Sequence, residues 1–347
     1  MLGRVFAAAG RRSPAIEFVA SGTFAPRIFV DTAAYPGAEA EWIGPDGAIT
    51  SGVEPSIVLE QTSAVRLRVR PWAALQTIIL RHDGGDGGES TGVLDSLFPI
   101  HDAESCRNIY AVRNLHLVRD SLLGIALSGT LIQELDLHGF SALRRVESFY
   151  STALTSLRAA ESAAMERFCV EANPIAGWRG DGLLDTRAWT SIRDIRGADC
   201  DFTHVLFPSG TLEQNWHICV RNQRLPLTEF PTPADLPAMT QFWISGNSYS
   251  GTYDLSDFGE GHPDVSVWLY DTLGLTGITP GYAVTNLEAT NNPGMDQDAV
   301  DALLSGFVSH GRTGGSVIIT GTAIPSAAGL ADVATLQSRG WTVSVDS

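Results

Sequence analysis

The stretch LIQELDLHGFSALRRVESF, residues 131–149, contains one short pattern twice. Leu135 and Leu137 end an L-x-x-x-L-x-L run, and Val146 repeats the position of Leu135 eleven residues further on. An amphipathic helix would place apolar residues three and four apart along its whole length, and Gly139 interrupts that pattern. The stretch therefore predicts two short strands that belong to a repeating unit.

The repeat continues beyond this stretch. Leu157 in LTSLRA and Phe168 in MERFCV follow Val146 at further intervals of eleven residues. Self-similarity at a fixed interval is typical of a solenoid, in which each repeat packs on its neighbours. Eleven residues are too few for one coil around a core, so we expect two units, 22 residues in all, to make one turn with two strands.

A 22-residue turn predicts which side chains are neighbours. Residues 22 apart would lie on adjacent strands of one parallel sheet, about 4.8 Å from each other. Asp136 would lie beside Arg158, which is a favourable pair of opposite charges. Arg145 would lie beside Arg167, and these like charges would repel each other unless Glu147 lay between them. The predicted inward-facing residues are Leu135, Leu137, Val146, Leu157, Phe168 and Val170.

These units resemble leucine-rich repeats, specifically the bacterial kind with two L-x-x-L-x-L strands per turn. MERFCVEANPI adds Asn173, the asparagine that such repeats often carry in the turn after the strand. The resemblance is clear over 131–175 and implies a solenoid over 91–295. Further candidate strands are NLHL (114–117), GIALSG (124–129), FTHVLF (202–207), NWHICV (215–220), MTQFWISGN (239–247), VSVWLY (265–270) and VTNLEATNNPGM (284–295).

Residues 16–90 predict a small antiparallel β module. Six short runs rich in β-branched and aromatic residues alternate polar with apolar positions, and clusters such as GPDG supply turns. Six strands in this length fit a β-sandwich, and the segment resembles the immunoglobulin-like modules of surface and virion proteins. The expected strands are 16–20, 27–31, 38–44, 56–61, 65–70 and 77–82.

Two segments are expected to be irregular. Residues 1–15 carry two arginines after a short apolar patch and are expected to form a flexible arm rather than a signal peptide. HDGGDGGES (82–90) is expected to be a linker. Its acidic residues Asp83, Asp86 and Glu89 are weak candidates for Ca²⁺ ligands, because their spacing matches no EF-hand.

Residues 296–347 predict an α/β segment that caps the open end of the solenoid. Helix signals cover 295–311 and 325–340, and apolar strands follow them at 316–321 and 341–345. The segment resembles the C-terminal ends of leucine-rich-repeat-like proteins encoded beside bacteriophage tail and capsid genes.

The amino-acid composition excludes several classes of binding partner and of catalytic residue. The formal net charge of −16 would repel a phosphate backbone, so no nucleic-acid partner is expected. All 23 basic residues are arginine, a bias typical of a GC-rich genome, so Schiff-base and P-loop lysines are excluded. The sequence contains no run of 18 apolar residues, so no membrane span is predicted. Cys106, Cys169, Cys200 and Cys219 form no C-x-x-C pair, and we expect them to be reduced.

Catalytic motifs are absent from the sequence. It contains no H-E-x-x-H, no G-x-S-x-G, no P-loop and no G-x-G-x-x-G after a strand. The best polar cluster is Asp254, Asp257, Glu260 and His262, which is more simply a solvated turn. We therefore expect a non-enzymatic protein without a cofactor and without a metal site other than the weak calcium candidates.

Exposed ladder positions and aromatic residues are the candidate binding residues. Outward-facing aromatic rings suit contacts with sugar rings or a partner protein, whereas inward-facing ones belong to the core. The candidates are Glu134, Asp136, Arg145, Glu147, Arg158, Arg167, Trp243, Tyr249, Tyr253 and Trp268.

The resemblances imply a structural protein of a bacteriophage virion, assembled in the host cytoplasm as part of a tail or capsid-associated fibre. Its N-terminal arm and β-sandwich would contact other virion proteins, in a homo-oligomeric assembly, and its solenoid would meet a host-surface glycan or protein. A bacterial cell-surface adhesin is the alternative, and a glycan-active enzyme with paired carboxylates is a third hypothesis. A purely architectural virion role is also open.

Overall fold

The structure is a computed structural model, and over the residues it describes the fold is mostly β, with two α-helices and one large mixed sheet. The described residues are 14–80, 108–223, 225 and 230–347. Most of the predicted arm, the predicted linker 82–90 with its calcium candidates Asp83, Asp86 and Glu89, and Cys106 lie outside them.

Seven strands come from the N-terminal part of the chain. They are β1 (Ile16–Phe24), β2 (Arg27–Val30), β3 (Glu39–Ile43), β4 (Ile49–Ser51), β5 (Ile57–Arg70), β6 (Leu75–Ile79) and β7 (Ile109–Arg113). Five of them form an antiparallel sheet in the order β4-β3-β5-β1-β7, and β2 pairs with β6. The runs predicted separately at 56–61 and 65–70 form one strand, because β1 pairs with the residues between them.

The large sheet continues from β6 through parallel strands. These are β8 (Gly124–Ala126), β10 (Arg145–Phe149), β12 (Arg167–Glu171), β14 (Asp194–Arg196), β16 (His217–Cys219), β17 (Gln241–Trp243), β19 (Val265–Trp268), β21 (Val284–Glu288), β22 (Gly315–Ile319) and β23 (Trp341–Val345). Because β6 pairs with β8 and β7 pairs with β1, segments on both sides of residue 90 share both sheets.

The predicted register is confirmed. Arg145 lies beside Arg167 on β10 and β12, and Asp136 lies beside Arg158 on a second pair of strands. All six residues predicted to face inward are buried. Successive eleven-residue units therefore alternate between the large sheet and a second set of strands, and both sets bury their central residues in one core.

The second set consists of three short parallel pairs. Its strands are β9 (Glu134–Asp136), β11 (Ser156–Arg158), β13 (Leu183–Asp185), β15 (His204–Leu206), β18 (Ser248–Asp254) and β20 (Leu273–Thr279). β9 pairs with β11, β13 with β15, and β18 with β20. Between β11 and β13 the interruption coincides with a longer repeat, since Arg167 and Asp194 are 27 residues apart and Arg145 and Arg167 are 22 apart.

The turn after each strand of the large sheet from β8 to β22 has one repeated geometry. One residue takes the left-handed conformation, with φ between 54° and 74°. These residues are Gly129, Tyr150, Ala172, Asp199, Asn222, Gly246, Asp271, Asn291 and Gly321. At Gly246 an added Cβ would lie 2.2 Å from Oδ1 of Asn222, so the stacked turns leave no room for a side chain there.

A residue with a polar side chain follows each of these nine left-handed residues, and at six of the nine turns that side chain joins two repeats. Asn247 is typical: its Nδ2 donates to the carbonyls of Val220 and Ile244, each at 2.7 Å, and its Oδ1 accepts from the backbone N–H of Leu225 at 3.1 Å. Buried residues at this position that reach a carbonyl of the preceding repeat are Ser151, Asn173, Cys200, Gln223, Asn247 and Asn292. They satisfy backbone groups that the buried turns would otherwise leave unpaired.

Two helices complete the C-terminal part, as predicted. Helix α1 (Gln297–His310) begins at Asp296, whose side chain accepts from the backbone N–H of Ala299, and ends at Gly311 in the left-handed conformation. Helix α2 (Ala327–Ser338) begins at Ser326 and packs against α1. The strand predicted at 114–117 is wrong, because this segment forms a single turn of 3₁₀-helix after a left-handed Asn114.

Candidate functional site

The outward face of the large sheet presents two rows of side chains. Residues alternate across a strand, so the positions on either side of each buried central residue face away from the core. The first row is Thr77, Gly124, Arg145, Arg167, Asp194, His217, Gln241, Ser266, Asn286 and Ser316. The second is Ile79, Ala126, Glu147, Cys169, Arg196, Cys219, Trp243, Trp268, Glu288 and Ile318.

Charged residues fill the rows from β10 to β16. Glu147 accepts from Nε of Arg145 at 2.9 Å, and its Oε1 lies 3.9 Å from Nε of Arg167. The predicted like-charge contact between the two arginines is therefore bridged by this carboxylate. We call the connected side chains Arg145, Glu147, Arg167, Asp194, Arg196 and His217 the ion network.

Asp194 is the centre of the ion network. Its carboxylate lies 3.1 Å from Nε of Arg167, 3.1 Å from Nε of Arg196 and 2.9 Å from Nδ1 of His217. Burial by itself would raise the pKa of this carboxyl, but the close contact with His217 and the charges of Arg196 and Arg167 lower it to about 2. Asp194 is therefore a buried anion held by three neighbours.

Two cysteines lie in the second row beside the ion network. Nε of Arg167 donates to Sγ of Cys169 at 3.2 Å, and Cys219 lies two residues after His217. A thiol, a histidine and an aspartate in one region are the components of a nucleophilic site. Burial, however, raises the pKa of both thiols, which disfavours the thiolate form that a nucleophile needs. The thiols of Cys169, Cys200 and Cys219 are free, as expected.

At β17 and β19 the second row becomes aromatic. The rings of Trp243 and Trp268 stack with their centroids 5.1 Å apart, and the guanidinium of Arg221 lies 4.5 Å above the ring of Trp243. The hydroxyl of Tyr270 accepts from Nε1 of Trp243 at 3.2 Å and from Arg221 at 3.4 Å. We call Arg221, Trp243, Trp268 and Tyr270 the aromatic cluster. All four side chains are half-buried.

The geometry of the aromatic cluster determines which surfaces are available to a ligand. The ring of Trp243 is packed between Arg221 and Trp268, so its faces are occupied within the protein. The guanidinium of Arg221 also lies 3.2 Å from the carboxylate of Asp199, which is exposed. A sugar ring needs an open aromatic face, whereas a protein partner can pack against edges.

The predicted binding residues fall on three different surfaces. Glu134, Asp136 and Arg158 lie on β9 and β11 of the second set of strands, and Tyr249 and Tyr253 lie on β18. The remaining five, Arg145, Glu147, Arg167, Trp243 and Trp268, lie on the large sheet. The structure does not bring all ten together, because alternate strands of the repeat belong to different sheets.

Three of these residues are buried, which corrects their expected exposure. Arg145 and Glu147 are 5% and 2% exposed, and they pair with each other in the ion network. Tyr253 is 8% exposed, because it occupies the inward position between Thr252 and Asp254 on β18. Trp243 and Trp268 are half-buried and face outward.

The sequence contained signals for the residues that the prediction missed. Asp194 and Arg196 occur in D-I-R, which has the polar–apolar–polar alternation of R-V-E at Arg145–Glu147. Their partnership with His217 required the register, which changes from 22 to 27 residues between β12 and β14. Arg221 and Tyr270 lie after their strands, where alternation no longer predicts direction.

Neither a metal-ligand group nor a membrane-spanning helix occurs among the described residues. No group of three or more His, Cys, Asp or Glu side chains in 14–80, 108–223, 225 and 230–347 is arranged to hold a metal ion. Within the same ranges, no helix combines the length and the apolar character needed to cross a bilayer.

Comparison with known proteins returned no match among protein-family models, curated proteins or solved structures.

Proposed function

We propose that the parallel strands form a leucine-rich-repeat-like solenoid, preceded by an immunoglobulin-like β-sandwich and closed by the C-terminal α/β segment. The 22-residue register of β9 to β12 supports this proposal, as does the polar residue after each left-handed turn. Leucine-rich repeats carry Asn or Cys at the corresponding place in L-x-L-x-x-N. The sequence F-C-V-E-A-N at 168–173 fits that form.

We further propose that this solenoid is a binding protein without catalytic activity, and that the aromatic cluster is the centre of its interface. The observation that carries the proposal is the packing of Trp243 against Trp268, Arg221 and Tyr270 on the outward face of a regular sheet. Trp, Tyr and Arg are the residue types that dominate the binding energy of protein interfaces. Because the faces of Trp243 are occupied, the cluster favours a protein partner over a glycan.

The bacteriophage setting is part of the proposal. It rests on the resemblance of residues 296–347 to proteins encoded beside tail and capsid genes. In that setting the N-terminal part attaches the chain to other virion proteins, and the aromatic cluster contacts a protein on the host surface.

The binding test uses the labelled full chain and envelope preparations from bacteria with GC-rich genomes. Trp268→Ala and Arg221→Gln are each expected to weaken binding at least tenfold, since truncating a hot-spot residue costs about 2 kcal/mol or more. Arg193→Gln, an exposed arginine outside the cluster, is the matched control. Protease treatment of the envelopes should abolish binding, and periodate oxidation of glycans should not. Binding that survives both cluster substitutions would remove the cluster from the interface.

Assembly is tested separately by light scattering on the full chain and on a version lacking residues 1–15. A defined oligomer that the deletion dissociates supports attachment through the N-terminal arm. Two monomers would favour a free-standing adhesin instead.

A further inference from the structure

A second candidate binding site lies on the other set of strands, where β11 and β13 fail to pair. Arg167 and Asp194 are 27 residues apart, against 22 for Arg145 and Arg167. The five extra residues lie between β12 and β13, in the connection 172–182. This connection does not bulge freely into solvent.

The connection packs along the edge of β11. The backbone N–H of Leu157 donates to the carbonyl of Gly177 at 3.1 Å, and that of Ala176 donates to Thr155 at 3.2 Å. The N–H of Arg179 donates to Oγ of Ser156 at 2.8 Å. The inserted backbone therefore takes the place that β13 would occupy, and the displaced strand leaves a cleft of about 700 Å³. That volume is in the range of small-ligand sites.

The cleft combines one aromatic ring with charges of both signs. Trp178 lies in the wall, with the guanidinium of Arg179 4.9 Å from its ring. We call this space the Trp178 cleft. Its charged lining residues are Arg158, Glu161, Asp181, Asp185 and Arg187.

Most of these charges already have partners. Asp185 pairs with Arg187, the Oδ1 of Asp181 accepts from the backbone of Trp178 and Leu183, and Glu161 lies 3.1 Å from Nδ1 of His138. Arg158 differs from them. The only contact of its guanidinium with a described residue is the ring of Trp178, at 5.9 Å from the centroid.

Arg158 was expected to pair with Asp136, its register neighbour. The Oδ1 of Asp136 instead accepts from the backbone N–H of His138 at 2.9 Å, and no ion pair joins Asp136 to Arg158 among the described contacts. The cleft thus contains a half-buried guanidinium beside an aromatic ring, without a carboxylate partner. That arrangement fits a ligand that supplies the carboxylate.

The balance of charges selects the class of ligand. The lining has two cationic and three anionic side chains, which disfavours a phosphate with its double charge. A sugar ring with a single carboxylate can use Arg158, Asp185 and Glu161 together. Its carboxylate forms a bidentate pair with Arg158, its hydroxyls donate to Asp185 and Glu161, and its C–H groups pack on Trp178.

We propose that the Trp178 cleft binds an acidic saccharide of the uronic-acid type, with Arg158 as the carboxylate ligand. This site is separate from the aromatic cluster, and it does not depend on the function proposed for that cluster.

The test is calorimetric titration of the full chain with a galacturonic acid tetrasaccharide, and with its methyl ester as the matched neutral ligand. The ester is expected to bind at least tenfold more weakly, because a hydrogen-bonded charge pair is lost. Arg158→Gln should weaken acid binding by a similar factor and leave ester binding unchanged. Trp178→Leu should weaken both, whereas Arg193→Gln and Arg221→Gln should weaken neither.

Several outcomes would overturn the proposal. They are absent binding of the acid, equal affinity for acid and ester, and undiminished acid binding by an Arg158→Gln variant whose melting temperature matches the wild type. A tetraglutamate peptide that binds as tightly as the tetrasaccharide would replace the sugar with an acidic peptide.

Discussion

Two halves of one sheet face carry opposite kinds of side chain. From β10 to β16 the outward rows hold the ion network, and from β17 to β19 they lead into the aromatic cluster. Both halves have parallel pairing and a left-handed residue in the turn after each strand. In the first half the charges are satisfied by one another, with Asp194 only 2% exposed, whereas in the second half Arg221 pairs with an exposed carboxylate beside half-buried rings. The comparison separates a part of the sheet that stabilises the fold from a part suited to binding.

The largest expected effect follows removal of the central anion. Asp194→Asn leaves the positive charges of Arg167 and Arg196 without their shared carboxylate, and we expect a loss of about 3–5 kcal/mol in the free energy of unfolding. The control is Asp264→Asn, which breaks the exposed pair with Arg312 and should cost less than about 1 kcal/mol. Urea unfolding measures both. Equal losses would contradict a structural role specific to the ion network.

The buried asparagines should behave alike in the two halves. Asn173→Ala and Asn247→Ala each remove three hydrogen bonds to backbone groups and should each cost about 2–4 kcal/mol. Asn286→Ala, at an exposed position of β21, should change stability by less than about 0.5 kcal/mol. A large difference between the first two variants would mean that the turns are not equivalent.

Acid should weaken the ion network over a defined pH range. The pKa of Asp194 is lowered to about 2 in the fold, so its contribution to stability is present above its ordinary pKa of about 4. That contribution, on the order of 2 kcal/mol, is lost as the pH falls from about 4 towards 2. Unfolding free energies of wild type and Asp194→Asn, measured from pH 5 to pH 2, should therefore converge by this amount. Parallel curves would show that Asp194 has an ordinary pKa.

The smallest expected difference in stability is between substitutions of Arg196 and Arg221, the two arginines nearest the border between the halves. Arg196→Gln removes a partner of the buried Asp194 and should cost about 1–3 kcal/mol. Arg221→Gln removes the partner of the exposed Asp199 and should cost less than about 1 kcal/mol, although we expect it to weaken the proposed partner binding. Thermal melting and the binding assay, applied to both variants, should give opposite rankings. If the two variants ranked in the same order in both measurements, the proposed difference in role between the halves would be contradicted.

Much of the local structure could be predicted from the sequence because it depends on short-range pattern. The eleven-residue spacing gave the register of β9 to β12, and the capping residues Asp296 and Ser326 gave the starts of both helices. The strand predicted at 114–117 was wrong, because alternating apolar residues alone do not distinguish a strand from a turn of 3₁₀-helix.

The candidate sites were less predictable, because they depend on contacts between repeats of unequal length. Trp243 and Trp268 were identified, but Arg221 and Tyr270, which complete the aromatic cluster, follow their strands by a variable turn. Arg158 was assigned an ion pair that the structure does not form, and Trp178 was not recognised as its neighbour.

The sequence by itself determined the repeat, its register near the opening stretch, the inward-facing residues and the helix ends. These features follow from side-chain alternation and from local hydrogen bonding, which act over a few residues. Only the tertiary structure decided which charges neutralise one another around Asp194, which rings pack on Trp243, and where the five extra residues open a cleft beside Trp178. Those contacts depend on which strands become neighbours, and the lengths of the connections between strands decide this only when the whole sheet has formed.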